Sequence, residues 1–331
     1  MAAAAVRFAT IDVQSFWFDE ALTAKLVSSG FGHMLDLIPH SELTPPLYYV
    51  LAWPWAHVIG HHEAALRTFS ALFGIALVPV AFLLGREVVS RTVGLVLAAL
   101  CAFNPLLVWY SQEARPYSLF ALLCTLSLLF LARAVRRREA RDLWLWAGVS
   151  AAALLTHYFA AFVVVPAGLW LAWIWRPRRP ALIAGGIVGL VGVALIPLAA
   201  YERSRIGTGY IDGLPLKRRV IGVPEDYLTG FVIKFDTTRE QVLDGLALAV
   251  AALGVGLALV RTSRRARLGA LAAAVAALFA AGVPAVLALV GPDFLNTRNV
   301  IAGCVPALLV VATGFGAARV GPALRVSGVA A

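Results

Sequence analysis

The sequence predicts an all-α polytopic membrane protein with about nine complete spans, a partial N-terminal span and interfacial helices in its first external loop. Three observations predict this. Of 331 residues, 61% are hydrophobic and only 14% charged, and mean hydropathy is +0.83, far from the balance of a soluble domain. Apolar runs approaching the ~20 residues that a bilayer core requires recur along the chain. The arginines cluster between those runs in the positive-inside pattern, so the net charge of +10 reflects membrane orientation and not a nucleic-acid partner.

Residues 1–11 hold too few apolar side chains, interrupted by Arg7, to cross a bilayer, and they lack the regions of a signal peptide. They read as what is left of a first span or as a surface stub. The stretch that follows is acidic: Asp12, Asp19, Glu20, Asp36 and Glu42 stand against Lys25 alone. Residues 44–60 contain Pro54, two tryptophans and His57, and as a helix of about 17 residues would reach only about 25 Å. They read as an interfacial helix with Pro46 near its first turn. Tyr48, Tyr49 and Trp53 read as interfacial anchors, with a sugar-stacking platform as the alternative.

Spans are expected at about 68–84, 93–110, 116–131, 143–156, 158–175, 181–200, 242–260, 268–290 and 299–317. With 44–60 kept on the surface, the inner loops collect Arg86 and Arg91, the cluster from Arg133 to Arg141, Arg176 to Arg179, Arg261 to Arg267, and Arg319 with Arg325. A crossing at 44–60 would place those cations on the wrong side. The external loop 12–67, the turns at 112–115, His157 and 296–298, and the long loop 201–241 then face outward. That last loop, with Gly207, Gly209, Gly213, the Lys217-Arg218-Arg219 cluster and Tyr227, reads as a lid over a site or as a plain connector. The chain, 1–331, reads as a single transmembrane domain with no C-terminal soluble domain. Cys101, Cys124 and Cys304 lie in apolar runs without CxxC spacing and read as packing residues.

This topology brings Asp19, Glu20, Glu42, Glu113, Arg115, His157 and Arg298 to one membrane face. Grouped ionisable residues at a membrane surface point to a site, although spans end in polar residues anyway. Asp19 and Glu20, behind Phe16-Trp17-Phe18, either carry chemistry or solvate the start of a helix whose dipole favours acids. Arg115 either meets an anion or pairs with Glu113 two residues away. Arg298 meets an anion or snorkels at a helix end. His157 is open between capping a hairpin, binding a donor and ligating a metal. Glu42, Glu113 and His157 could share a divalent ion, but no compact ligand spacing supports one, so a metal is left open.

Several stretches resemble the successive signatures of one family: Phe16-Trp17-Phe18-Asp19-Glu20, Thr44-Pro45-Pro46-Leu47-Tyr48-Tyr49, Trp109-Tyr110-Ser111-Gln112-Glu113-Ala114-Arg115-Pro116-Tyr117, Thr156-His157-Tyr158, and Arg298 with Pro306. They are similar to those of polyprenyl-phosphate-sugar-dependent glycosyltransferases of the GT-C superfamily. The nearest branch is bacterial family 39, relatives of protein O-mannosyltransferases and aminoarabinose transferases. Thr44 stands where such relatives often carry His or Lys, and Asn299 where an aromatic is usual.

The resemblance implies a GT-C-like helical bundle in a cell membrane, with its active site on the external face. It implies inverting transfer of a sugar from a polyprenyl-phosphate carrier to a hydroxyl on a cell-envelope glycan, lipid or protein. Asp19 matches the general base, with Glu20 in support, and Glu113 the second acidic position. Arg115 and Arg298 are implied at the donor phosphate, and Tyr117, His157 and Glu42 at the substrate. Two rival classes stand beside this reading. A non-catalytic scaffold of the same ancestry would keep the fold; a transporter would show internal repeats and an acid in mid-span, and the sequence shows neither.

Overall fold

The computed structural model describes residues 1–205, 215–230, 238–291 and 293–317, with side chains of 238–240 excepted. In chain order the helices are α1 (Ala2–Phe8), α2 (Phe18–Ser28), α3 (Phe31–Ser41), α4 (Leu47–Ile59), α5 (Glu63–Val88), α6 (Arg91–Phe103), α7 (Pro105–Ser111), α8 (Tyr117–Arg137), α9 (Ala140–Thr156), α10 (Ala161–Ile174), α11 (Arg178–Arg205), α12 (Leu216–Thr229), α13 (Thr238–Val260), α14 (Arg264–Val290) and α15 (Cys304–Ala317). Short 3₁₀ turns at Tyr158–Ala160 and Ile301–Gly303 precede α10 and α15. No strand occurs among the described residues. The chain divides into two compact units, Met1–Ala76 with Tyr110–Gly213, and Leu77–Trp109 with Leu214–Ala331.

Each of the nine expected runs is helical, but they differ in reach. Among the described residues, five helices are long and apolar enough to cross a membrane: α5, α8, α11, α13 (from Gln241) and α14. A sixth arises if α6 and α7, bent by 56°, count as one span. The stretches 158–174 and 301–317 are shorter apolar helices. A count of nine complete spans is therefore more than helix length and composition establish. Large apolar side chains such as Leu190, Val193, Leu278 and Leu289 stand exposed on α11 and α14, a surface suited to acyl chains.

In the first unit, the expected external loop is a small helical subdomain. Its core packs Leu26, Val27, Met34, Ile38, Tyr48, Tyr49, Ala52 and Ala56 from α2, α3 and α4. Pro46 is the N-cap of α4, where its missing N–H costs nothing. Tyr48 and Tyr49 are not interfacial anchors: both are buried, with hydroxyls against Ser70 (2.9 Å) and Thr44 (3.2 Å), and burial pushes both phenols up. Trp53 donates its indole N–H to the Ser29 carbonyl at 2.9 Å. In the N-terminal segment, Arg7 of α1 and Ile11 pack inward, while Met1, Phe8 and Thr10 stay exposed. Gly74 makes room for Arg7: a Cβ there would lie 2.9 Å from Arg7 Nε and 2.5 Å from Ser111 Cβ.

In the second unit, the α6–α7 bend has a local cause. Asn104 precedes Pro105, which disfavours helical backbone at residue 104, and Asn104 takes ψ 121°. Its side chain then works both ways, accepting the Leu107 N–H at 3.0 Å and donating to the Tyr227 carbonyl at 2.7 Å. The expected single span at 93–110 is broken there. Close crossing of α13 and α15 needs Gly314, where a Cβ would sit 1.8 Å from the Gly254 carbonyl oxygen. The loop expected over 201–241 is partly helical, with α11 running to Arg205 and α12 occupying its middle. Gly207, Gly209 and Gly213 lie outside the described residues.

Candidate active site

Two buried ion pairs, both within the first unit, build the site. Arg67, one turn into α5, forks onto Glu20 with Nε to Oε1 at 2.8 Å and Nη2 to Oε2 at 2.6 Å. Its other N–H groups reach the carbonyls of Ile11 (3.0 Å), Gln14 (2.6 Å) and Ser15 (3.1 Å), so all five guanidinium donors are used. Phe16 lies against the same guanidinium at 5.6 Å. Arg67 thus gathers the whole approach to the Asp-Glu motif. Glu20 is in turn the third residue of α2, and its Oε2 reaches back to the Trp17 N–H at 3.4 Å to cap the helix. Its Oε1 also accepts the Ala114 N–H at 2.8 Å, drawing in the 112–116 turn.

Arg115 makes the second pair. Its Nη1 and Nη2 meet Glu42 Oε1 and Oε2 at 2.9 and 2.8 Å, a bidentate fork. Nη1 also faces the Asp19 carbonyl and Thr23 Oγ1, each at 3.2 Å. Burial works against the guanidinium charge, but the Glu42 carboxylate outweighs it and keeps Arg115 protonated. Its partner is therefore Glu42, 73 residues away, and not Glu113. Gln112 continues the turn's attachments by donating to the Arg7 carbonyl (3.0 Å) and Thr10 Oγ1 (2.8 Å).

Between these pairs sits Asp19, second residue of α2. It is half-buried where Glu20 is 1% exposed, and it lies in the first helical turn, where the dipole favours a carboxylate. Glu113 is buried, its carbonyl accepting the Arg115 N–H at 2.8 Å, and its charge acts on Arg67. Tyr117 is buried at the start of α8, edge-on to Tyr110 at 5.0 Å and 6.1 Å from the His157 ring. His157 stacks on Phe120 at 4.5 Å, and its Nδ1 accepts the Phe159 N–H at 3.2 Å. Of its three sequence readings, the capping role is visible. Arg298 belongs to the second unit, where its N–H donates to Asn296 Oδ1 at 3.2 Å. No group of three or more His, Cys, Asp or Glu side chains that could hold a metal occurs among the described residues. Glu42 has both oxygens on Arg115, so it does not fit the metal-ligand role left open above.

Sequence reasoning missed Arg67 and Glu202. Arg67 stood one residue before an expected span, and an arginine at a span boundary near an acid pair was the available signal. Glu202 gave no such signal, being one acid in a polar helix end. It is fully buried, accepts the Tyr158 hydroxyl at 2.9 Å through Oε2, and its Oε1 makes no hydrogen bond. Tyr158→Phe should therefore cost about 1–3 kcal/mol by stripping a buried carboxyl group of its donor. Pairing it with Glu202→Leu should recover most of that loss. Thermal melts of the detergent-solubilised variants check this, and a Tyr158→Phe melt equal to wild type would contradict it.

An all-helical fold with helices long and apolar enough to cross a membrane, and with an Asp-Glu helix start pinned by buried arginines, is that of a multi-pass membrane protein. The comparisons agree. Residues 44–200 match the family model described as dolichyl-phosphate-mannose-protein mannosyltransferase, a segment holding Glu113, Arg115, Tyr117 and His157. The fold is similar to that of ArnT from Cupriavidus metallidurans bound to undecaprenyl phosphate, with TM-score 0.63 and 15% identity. That match covers 98% of this chain and 60% of ArnT. For the same protein in the apo state the values are 0.62, 14%, 98% and 59%. The chain thus spans about 60% of the length of the solved structures it matches. No curated protein matches by sequence. The family-39-like GT-C resemblance read from the motifs is borne out.

Proposed function

We propose that this protein transfers a sugar from a polyprenyl-phosphate carrier to a hydroxyl acceptor at the outer membrane face, inverting the anomeric carbon. The observation that carries the reading is the division of labour between adjacent acids. Glu20 is consumed by Arg67 and two backbone N–H groups, while Asp19 stands half-buried one residue earlier on the same rigid turn. A hydroxyl becomes nucleophilic when a positioned carboxylate takes its proton, and a base on a preorganised helix start costs little reorganisation. Asp19 is that base, with Glu113 as the second acid beside the Arg67 network. Tyr117, His157 and Glu42 shape the ground around it.

The leaving group is a lipid phosphate. Arg298 is one candidate to neutralise it. For Arg115, both Nη groups are engaged, and the Nε–H, which makes no hydrogen bond, is a donor left for a phosphate oxygen. The ArnT structure with undecaprenyl phosphate supports a carrier of this class. The chain also lacks a Gly-rich strand-to-helix turn for a nucleotide diphosphate.

Purified protein in lipid nanodiscs, given radiolabelled polyprenyl-phosphate sugars with membrane extract as acceptor, should yield product of inverted configuration. Nucleotide sugars should give none. Transfer from a nucleotide sugar in lipid-free conditions, or a product retaining the donor configuration, would refute the reading.

A further inference from the structure

The helix α12 has 14 residues and so extends about 21 Å, too short to cross a bilayer. One of its faces is fastened to protein through Arg219, Val223, Asp226 and Tyr227, at i, i+4, i+7 and i+8. Arg219 Nη1 donates to Asp293 Oδ1 at 2.7 Å and to the Leu295 carbonyl at 2.9 Å, which holds the Asp293 carboxyl below the usual carboxylate range. Asp226 accepts the Thr297 hydroxyl, and the Tyr227 hydroxyl donates to the Val300 carbonyl. The Tyr227 carbonyl takes the Asn104 amide. These partners lie where α6 and α14 end and α15 is about to begin, so α12 rests on the tips of apolar helices.

The remaining surface of α12 divides into two stripes. At 100° per residue, Val220, Pro224 and Ile221 fall on one flank with Lys217 among them, and all four are exposed. Val220 is 41% and Ile221 57% exposed, although the opposite face of α12 is fastened to its own unit. Arg218 and Glu225 fall further round. A helix with one face on protein, one flank apolar and one polar, seated at the ends of membrane helices, has the lateral asymmetry of an in-plane interfacial helix. The cations bordering the apolar flank complement lipid phosphates.

We propose that α12 lies in the bilayer interface as a lateral anchor, with Val220, Ile221 and Pro224 among the upper acyl carbons and Lys217 and Arg218 on anionic headgroups. Through Arg219, Asp226 and Tyr227 it fixes the depth of segment 293–300, which carries Arg298. The assignment does not depend on the catalytic reading.

The test uses full-length protein in nanodiscs of phosphatidylcholine with phosphatidylglycerol, spin-labelled singly through Val220→Cys, Ile221→Cys, Arg218→Cys or Glu225→Cys. The native cysteines are buried and leave these labels distinct. Labels at 220 and 221 should relax faster with oxygen than with a nickel chelate, and those at 218 and 225 the reverse. Adding Lys217→Glu and Arg218→Glu should shift the label at 221 toward nickel in phosphatidylglycerol discs, and not in discs of phosphatidylcholine alone. Nickel-dominated relaxation at all four positions would overturn the anchor. An equal shift in both lipids would overturn the headgroup contacts.

Discussion

Asp19→Asn is expected to lower sugar transfer by about 10³-fold, the scale of a lost general base, while expression and thermal stability stay near wild type. The substitution keeps the shape of a half-buried side chain at a helix start and removes the charge that accepts the proton. The helix dipole loses a favourable acid, a loss of only about 0.3–1 kcal/mol at an exposed site. Glu20, with its contacts to Arg67, Ala114 and Trp17, is left in place by the substitution. The rate effect should fall on kcat more than on KM, since proton abstraction develops in the transition state. Single-turnover assays with a labelled polyprenyl-phosphate sugar measure it. Turnover within about tenfold of wild type would remove Asp19 from the base role, since a positioned base contributes about 10²–10⁴-fold.

Much of this architecture could be read from local chemistry, and most of the exceptions share one cause. Apolar runs announced every long helix, and Pro46 marked the start of α4 because proline suits a helix N-terminus. Pairing across sequence distance stayed hidden. Arg115 has an acid two residues away in the chain, yet a fork needs a facing carboxylate, and Glu42 at the C-cap of α3 provides one. Glu20 and Arg67 are 47 residues apart, and nothing periodic links them. Tyr48 and Tyr49 read as interfacial because phenols favour headgroups, whereas α2 to α4 form a core of their own where those hydroxyls find Ser70 and Thr44. The break at Asn104 is different in kind, since its signal is local: Pro105 follows it directly.

Glu20→Gln should act chiefly on the fold, where Asp19→Asn acts chiefly on the rate. Gln keeps the size of the side chain and can accept from Ala114, but it leaves the Arg67 guanidinium, 5% exposed, without its counter-charge. Removing one member of a buried pair costs about 3–5 kcal/mol, mainly as an uncompensated buried charge. The carbonyls of Ile11, Gln14 and Ser15 hold to that same guanidinium, so the approach to Asp19 should loosen with it. The expected result is a melting temperature in detergent lower by roughly 10 °C, together with reduced transfer. Arg67→Met combined with Glu20→Gln should melt above Glu20→Gln alone, because a neutral pair buries no stranded charge. Transfer should nonetheless stay low in the double variant, since no guanidinium then gathers residues 11–15 behind the base. A double variant that melts no higher than Glu20→Gln, or a Glu20→Gln protein as stable as wild type, would show that this ion pair does not hold the helix start in place.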